Sequence, residues 1–445
     1  MCNVFLQPSI SSSLFATMSK TLWLSDKTSR GFGFLFLFLI TFDLCRLSWS
    51  NPLNGYRYEL RTLVNKGLMS SPQSLVLDQD REALYITDTG HHCLKRMQLP
   101  SDLLNYDVKT ASVDVVTLVG QCGTAKTAGD GVAENAFFAE PFYMVMDHPK
   151  NQLLVLEKGS SIRRVDLQNL GVTSSALPRD AAAQATAIVP VSDNAVLFAS
   201  SNQKLNLWWA CDNEQSFSAT FNPMIETSDG QRIEFVQITA MVKNPWDGSV
   251  VLVDAGAHQI FKLSLSLPHD CPSDQQRSDL DMLRFFFNVQ PQTSQDEGYK
   301  STQINQDIDQ AIRSATVAVL GGTRGLAGYH DGQAMHSVFN QPTAIACDTH
   351  DQRIYVADRG NNAIRVIRNN VVSTLELHGN PKLVAPTSIA VLRNTGEVII
   401  AEPHSNLIRI AVPVMLTSSP ERSGRFWSFG LMTTTAVCVV LVSDT

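Results

Sequence analysis

Four acidic residues stand at one place in a recurring pattern: Asp88, Asp254, Asp358 and Glu402 each precede an aliphatic residue, at 94, 260, 364 and 408, by six positions. A carboxylate that closes an alternating β-branched run and is followed by glycine or small polar residues can do one of two things. It can accept hydrogen bonds from the amides of a tight turn, or several such loops can converge on a cation that takes oxygen ligands, as Ca2+ does. A second pair of acidic loops, Asp130-Gly131 and Asp331-Gly332, lies eleven residues before a proline in both copies, at 141 and 342. His258, in the turn after Asp254, is the candidate metal ligand, although a catalytic zinc site needs about three protein ligands. His330, His336 and His404 form no helical pair at i and i+4, and neither His-Glu-x-x-His nor Gly-x-Ser-x-Gly occurs. The glycine-rich run 120–131 lacks the Gly-Lys-Ser/Thr ending of a phosphate-binding loop. No catalytic and no cofactor-binding residue is therefore assigned, and calcium and zinc are the only cofactors left open.

The elements that position these residues are repeats. LYITDTGHHCLKR (84–96), VVLVDAGAHQIFK (250–262), IYVADRGNNAIRV (354–366) and VIIAEPHSNLIR (398–409) are one pattern of strand, tight turn and strand. A further strand precedes each, as at 73–78 and 343–348, and two diverged copies end at Glu157 and Ala199. That predicts six three-stranded units. Segments 115–119, 172–177, 216–221, 317–320 and 371–375 supply a fourth strand to five of them. The sixth ends at 407–412, and the early strand 60–64 is expected to pair antiparallel with it and close a ring that has no exposed sheet edges.

The element Gly-x-x-Asp-Gly-x-Ala…Phe-x-x-Pro, followed by a strand, Tyr-Val-Ala-Asp-x-Gly-Asn and Ile-Arg, resembles the NHL-repeat family over roughly residues 60–412. The resemblance implies an all-β fold, a six-bladed β-propeller of NHL-type repeats spanning 51–415. It also implies a non-enzymatic scaffold that presents loops to a protein, peptide or glycan partner. Residues 254–262 are similar to a segment of the peptide-amidating lyases, propeller enzymes in which the residue matching His258 binds zinc. Those enzymes take two more zinc histidines from just after a blade-opening proline, where this chain has Gln73, Phe142, Thr343 and Thr387. The alternative is therefore a metal-dependent propeller enzyme, either amidating-lyase-like or a calcium-dependent lactonase or hydrolase in which the loop acids converge.

Residues 266–314, rich in Asp, Gln and Ser, read as one long inter-blade insertion. Lys20, Lys27 and Arg30 precede an apolar run and the small-x-small pattern Ser48-Trp49-Ser50, so 1–50 is expected to be a signal peptide or other N-terminal targeting segment. The C-terminal tail 416–445 contains an uncharged stretch, 426–442, which reads as a membrane anchor, a lipid-anchor signal or an artefact of the gene model. Both ends point to the secretory pathway, extracellular or membrane-attached through the C-terminal segment. Of the cysteines between them, Cys93, Cys122, Cys211 and Cys271 allow up to two disulfides, with Cys347 expected as a buried free thiol. The net charge of −7 is spread along 445 residues with no basic stripe, which excludes nucleic acid as a partner.

Overall fold

The computed structural model describes residues 56–415, apart from 101–102, 104–113, 125–127, 159–160, 177–184, 202, 211–215, 222–224, 227–231, 266–314, 349–350, 380–381 and 394. Residues 1–50, expected to be a targeting segment, residues 266–314, expected to be an insertion, the tail 416–445, Cys211 and Cys271 all lie outside the described residues. Among the described residues no helix is long and apolar enough to cross a membrane.

Short β-branched runs separated by tight turns produce six blades, and in five of them four antiparallel strands follow one another in sequence. The first blade holds Pro72–Asp78, Ala83–Asp88, Cys93–Gln98 and Val115–Val119. The second holds Pro141–Asp147, Gln152–Glu157, Ser161–Asp166 and Gly171–Ala176. The third holds Ala185–Pro190, Ala195–Ser200, Leu205–Ala210 and Ser216–Phe221, and the fourth Ile238–Lys243, Val250–Asp254, Gln259–Ser264 and Thr316–Gly321. Pro342–Cys347, Ile354–Asp358, Ala363–Arg368 and Val371–Thr374 build the fifth.

The sixth blade is assembled from both ends of the described chain. Ser388–Val391, Val398–Glu402 and Leu407–Met415 are completed by Tyr56–Val64, which runs antiparallel to Leu407–Met415 from Tyr56 opposite Met415 to Val64 opposite Ile408. Leu377–His378 adds a short parallel strand outside it. The sheet order thus closes the ring, and the chain is a six-bladed β-propeller.

Within each blade the first strand is innermost and touches the first strands of both neighbours. The second strands carry the burial: Ala83–Asp88 and Ala195–Ser200 are buried along their whole length. Apolar side chains gather into six clusters, one at each boundary between blades. The cluster between sixth and first blades takes Leu63 and Val64 from the N-terminal strand and Ile408 and Ile410 from the C-terminal one. Cys93 and Cys122 form a disulfide within the first blade, while Cys347 is free and only partly buried, at the channel-facing edge of the cluster between the fourth and fifth blades.

Two outcomes follow from the topology. A chain beginning at Ser70 loses the buried side chains of Tyr58, Leu60, Leu63 and Val64 and leaves Leu407–Met415 with an open edge. It is expected to aggregate or to melt roughly 10 °C or more below a chain beginning at Asn51, measured by calorimetry. Deletion of 268–311 is expected to leave a soluble, cooperatively melting protein. The flanking residues already pair, Leu263 with Val317 and Ser264 with Thr316, so a short loop can bridge them.

Candidate functional site

The turn acids are bound to the backbone of their own blades. Asp88 accepts from the amide of Ser70 (2.7 Å), Glu157 from Ala139 (2.8 Å), Asp254 from Val236 (2.8 Å), Asp358 from Asn340 (2.8 Å) and Glu402 from Val384 (3.2 Å). In every case donor and acceptor are 18 residues apart. The donor lies just before the inner strand, so one side chain ties the start of that strand to the end of its partner. Turn periodicity suggests a local bond instead. Among the described residues only Asp254 of these acids also makes one, to the amide of Ala257 (3.0 Å), because the other carboxylates spend their second oxygen on a side chain. The glycine two places after the acid has a matching reason: a Cβ on Gly360 would sit 2.6 Å from the Asn340 carbonyl oxygen.

The second partner is a base on the following strand. Lys95 Nζ lies 2.7 Å from Asp88, Arg163 donates to Glu157 (3.0 Å) and Arg365 to Asp358 (2.8 Å). In the third blade the same contact is uncharged, with Asn206 Nδ2 donating to Ser200 Oγ (3.1 Å). Arg163 and Arg365, both fully buried, also explain the Asp-Gly loops. Arg163 donates to the carbonyls of Phe137 and Gly129, pairs with Asp130 and stacks on Phe138. Arg365 donates to those of Val338 and His330, pairs with Asp331 and stacks on Phe339. Asp130 and Asp331 then reach the outer strand at Ser174 and Thr374. Burial raises the Asp130 pKa, but the Ser174 hydroxyl and amide and the Arg163 charge outweigh it and hold the carboxyl below its ordinary range. Gly131 and Gly332 pair with the same outer strands.

His258 sits at a joint between blades. It occupies the left-handed region (φ 58°), and its Nδ1 accepts from the amide of Gln341, immediately before the proline that opens the fifth blade (3.0 Å). His92 accepts from Glu140 in the same way (3.2 Å), and Asn362 and Asn406 use their side-chain oxygens on Ala385 and Ser71 (both 2.7 Å). All four acceptors have φ between 52° and 60°, a region asparagine tolerates best. An accepting Nδ1 requires the neutral ring to carry its proton on Nε2. Among the described residues no group of three or more His, Cys, Asp or Glu side chains is placed to hold a metal ion.

The six inner strands enclose a central channel of about 790 Å³. Since every blade has the same topology, all inner strands begin at one mouth and end at the other. At the first mouth stand Gln73, Phe142, Thr186, Thr239, Thr343 and Thr387, the positions that follow the opening proline or its equivalent. Three of the threonines bind across blade boundaries: Thr239 Oγ1 donates to the Pro342 carbonyl (3.4 Å), Thr343 to Pro386 (3.0 Å) and Thr387 to Gln73 (3.1 Å). Deeper in, Tyr143 of the second blade bridges to the fourth, its hydroxyl donating to the Met241 carbonyl and accepting from the Met241 amide (both 3.0 Å). Burial pushes this phenol up to about 12, so it stays protonated. Cys347 lines the far part of the channel, and burial, with Asp247 and Asp348 nearby, pushes its thiol up to about 12, which makes it a poor nucleophile.

The bases at 95, 163 and 365, the threonine belt and Tyr143 carry the site, and sequence reasoning passed over them as a set. Their signal was present in part, as Lys or Arg six or seven residues after the acid in four of the six blades.

No protein-family model matches the chain, and no curated protein matches it. Two solved structures from Bacteroides thetaiotaomicron VPI-5482, a structural genomics protein of unknown function and an auxiliary nutrient binding protein, are similar to it. Each is 10% identical with a TM-score of 0.50, and they cover 81% and 80% of this chain and 76% and 77% of their own. At that identity the likeness shows the fold.

The joint geometry sets an expected outcome for His258. His258→Asn, which installs the acceptor of the fifth and sixth blades, should keep stability within about 0.5 kcal/mol, whereas His258→Ala should lose about 1 kcal/mol. Thermal melts check the order, and zinc content should be the same in all three proteins.

Proposed function

We propose that this chain is a non-enzymatic propeller of NHL-type repeats that binds a protein, peptide or glycan partner at the threonine-lined mouth of its channel. We place it in the secretory pathway, outside the cell or attached to a membrane through residues 426–442. The observation that carries the reading is the division of labour among polar groups. The turn acids and loop acids are spent on amides and buried bases, while the half-buried Gln73, Thr186, Thr239, Thr343 and Thr387 line an open channel wide enough for a ligand. A similar structure that carries the name of a nutrient-binding protein is in keeping with this use of the fold.

The metal-dependent alternative asks the turn acids and His258 to hold calcium or zinc, and those side chains already have protein partners. Two measurements test the proposal. Elemental analysis of the purified protein should find neither metal in stoichiometric amount. Immobilised protein should capture a secreted or cell-surface protein or a glycan-array component, and Thr186→Trp, which fills the mouth, should abolish capture without lowering the melting temperature. Stoichiometric, tightly held zinc or calcium, or capture unaffected by Thr186→Trp, overturns it.

A further inference from the structure

The two mouths of the channel differ in charge. Among the residues lining it the carboxylates are Asp147, the last residue of an inner strand, and Asp193, in the turn after Ala185–Pro190, so both stand at the far mouth, beside His148 and Lys243, whose ammonium donates to the Val191 carbonyl (3.0 Å). The near mouth, where the inner strands begin, has Arg359 and His404 and no carboxylate among its described lining residues. The mouths are separated by inner strands of mostly six or seven residues, roughly 20 Å.

Arg359 follows the turn acid of the fifth blade, and its counterparts are occupied or uncharged. Thr89 donates to the Pro141 carbonyl (2.6 Å), Lys158 pairs with Glu140 (2.6 Å), and Ala255 and Pro403 carry no charge. Arg359 differs. Its neighbour Asp358 is fully buried and taken by Asn340, Asn361 and Arg365. Among the described residues the half-buried Arg359 guanidinium makes no ion pair or hydrogen bond, and its Nε is shielded from solvent and unsatisfied. A shielded Nε without an acceptor is unfavourable, and an anion at the cavity mouth would satisfy it.

We propose, resting on the channel reading above, that Arg359 receives a single carboxylate of the ligand. Its planar fork matches a carboxylate with two parallel hydrogen bonds, and one guanidinium balances one unit charge, whereas a phosphate would call for more cations than this mouth holds. Thr239, Thr343 and Thr387 have spent their hydroxyl protons on carbonyls and so turn only lone pairs to the channel. They suit a ligand that brings its own O–H or N–H donors beside the acid. A peptide C-terminus and a uronic acid both meet that description.

The test is saturation-transfer NMR on the full protein with matched pairs: N-acetylphenylalanine against its amide, and glucuronic acid against glucose. At least one acid should bind about tenfold better than its neutral partner. That preference should disappear in Arg359→Gln and persist in Arg368→Gln, with melting temperatures unchanged. The pair that shows it separates a peptide ligand from a glycan one. Equal binding of acid and neutral partner, binding of neither, or a preference that survives Arg359→Gln overturns the carboxylate assignment. The channel reading is decided separately by capture and its loss in Thr186→Trp.

Discussion

One hydrogen bond organises this propeller: a buried carboxylate at the end of the second strand accepts from an amide 18 residues earlier, at the threshold of the first. A strand pair can slip by two residues without exposing its apolar face, so alternation alone does not set where a blade begins. The buried acid does, because stranding an unpaired carboxylate inside the protein costs several kcal/mol. The base on the third strand completes the set. Arg163 and Arg365 extend it outward to the Asp-Gly loops and the fourth strands, so that a single guanidinium holds the two flanks of its blade together. Breaking such a pair from one side is expected to cost roughly 3–5 kcal/mol.

From this constraint the geometry of the channel follows. With the first strand anchored at its start in five of the six blades, the inner strands begin at one level, and the residue after each opening proline or its equivalent falls on one ring. The blades still need to be held to one another. The left-handed acceptors His92, His258, Asn362 and Asn406 do so at four of the six boundaries, and the threonine belt adds a second bond at three. Tyr143 reaches past the third blade, where the turn pair is the uncharged Ser200 and Asn206, and ties the second blade to the fourth.

The blade count, the four-stranded units and the closure by the N-terminal strand were legible in the sequence. They depend on period-two alternation and on turn residues at fixed offsets, which are local properties. The acids were legible as turn residues, but not their partners, since nothing in a turn motif says that its carboxylate bonds an amide outside the turn. His258 shows the same limit. Its motif resembles a zinc-binding segment, yet the Gln341 amide 83 residues away takes the nitrogen that the motif leaves open.

What the sequence determined by itself was the repeat, because strands and tight turns are chosen by neighbouring residues. What only the tertiary structure decided was which polar groups are spent and which are left over. Asp358 and Arg359 are adjacent in sequence, yet one is fully satisfied inside its blade and the other stands at the channel mouth without a described partner. That difference arises from the ring, which brings six distant strand starts to one opening and leaves a charge there that no local pattern could place.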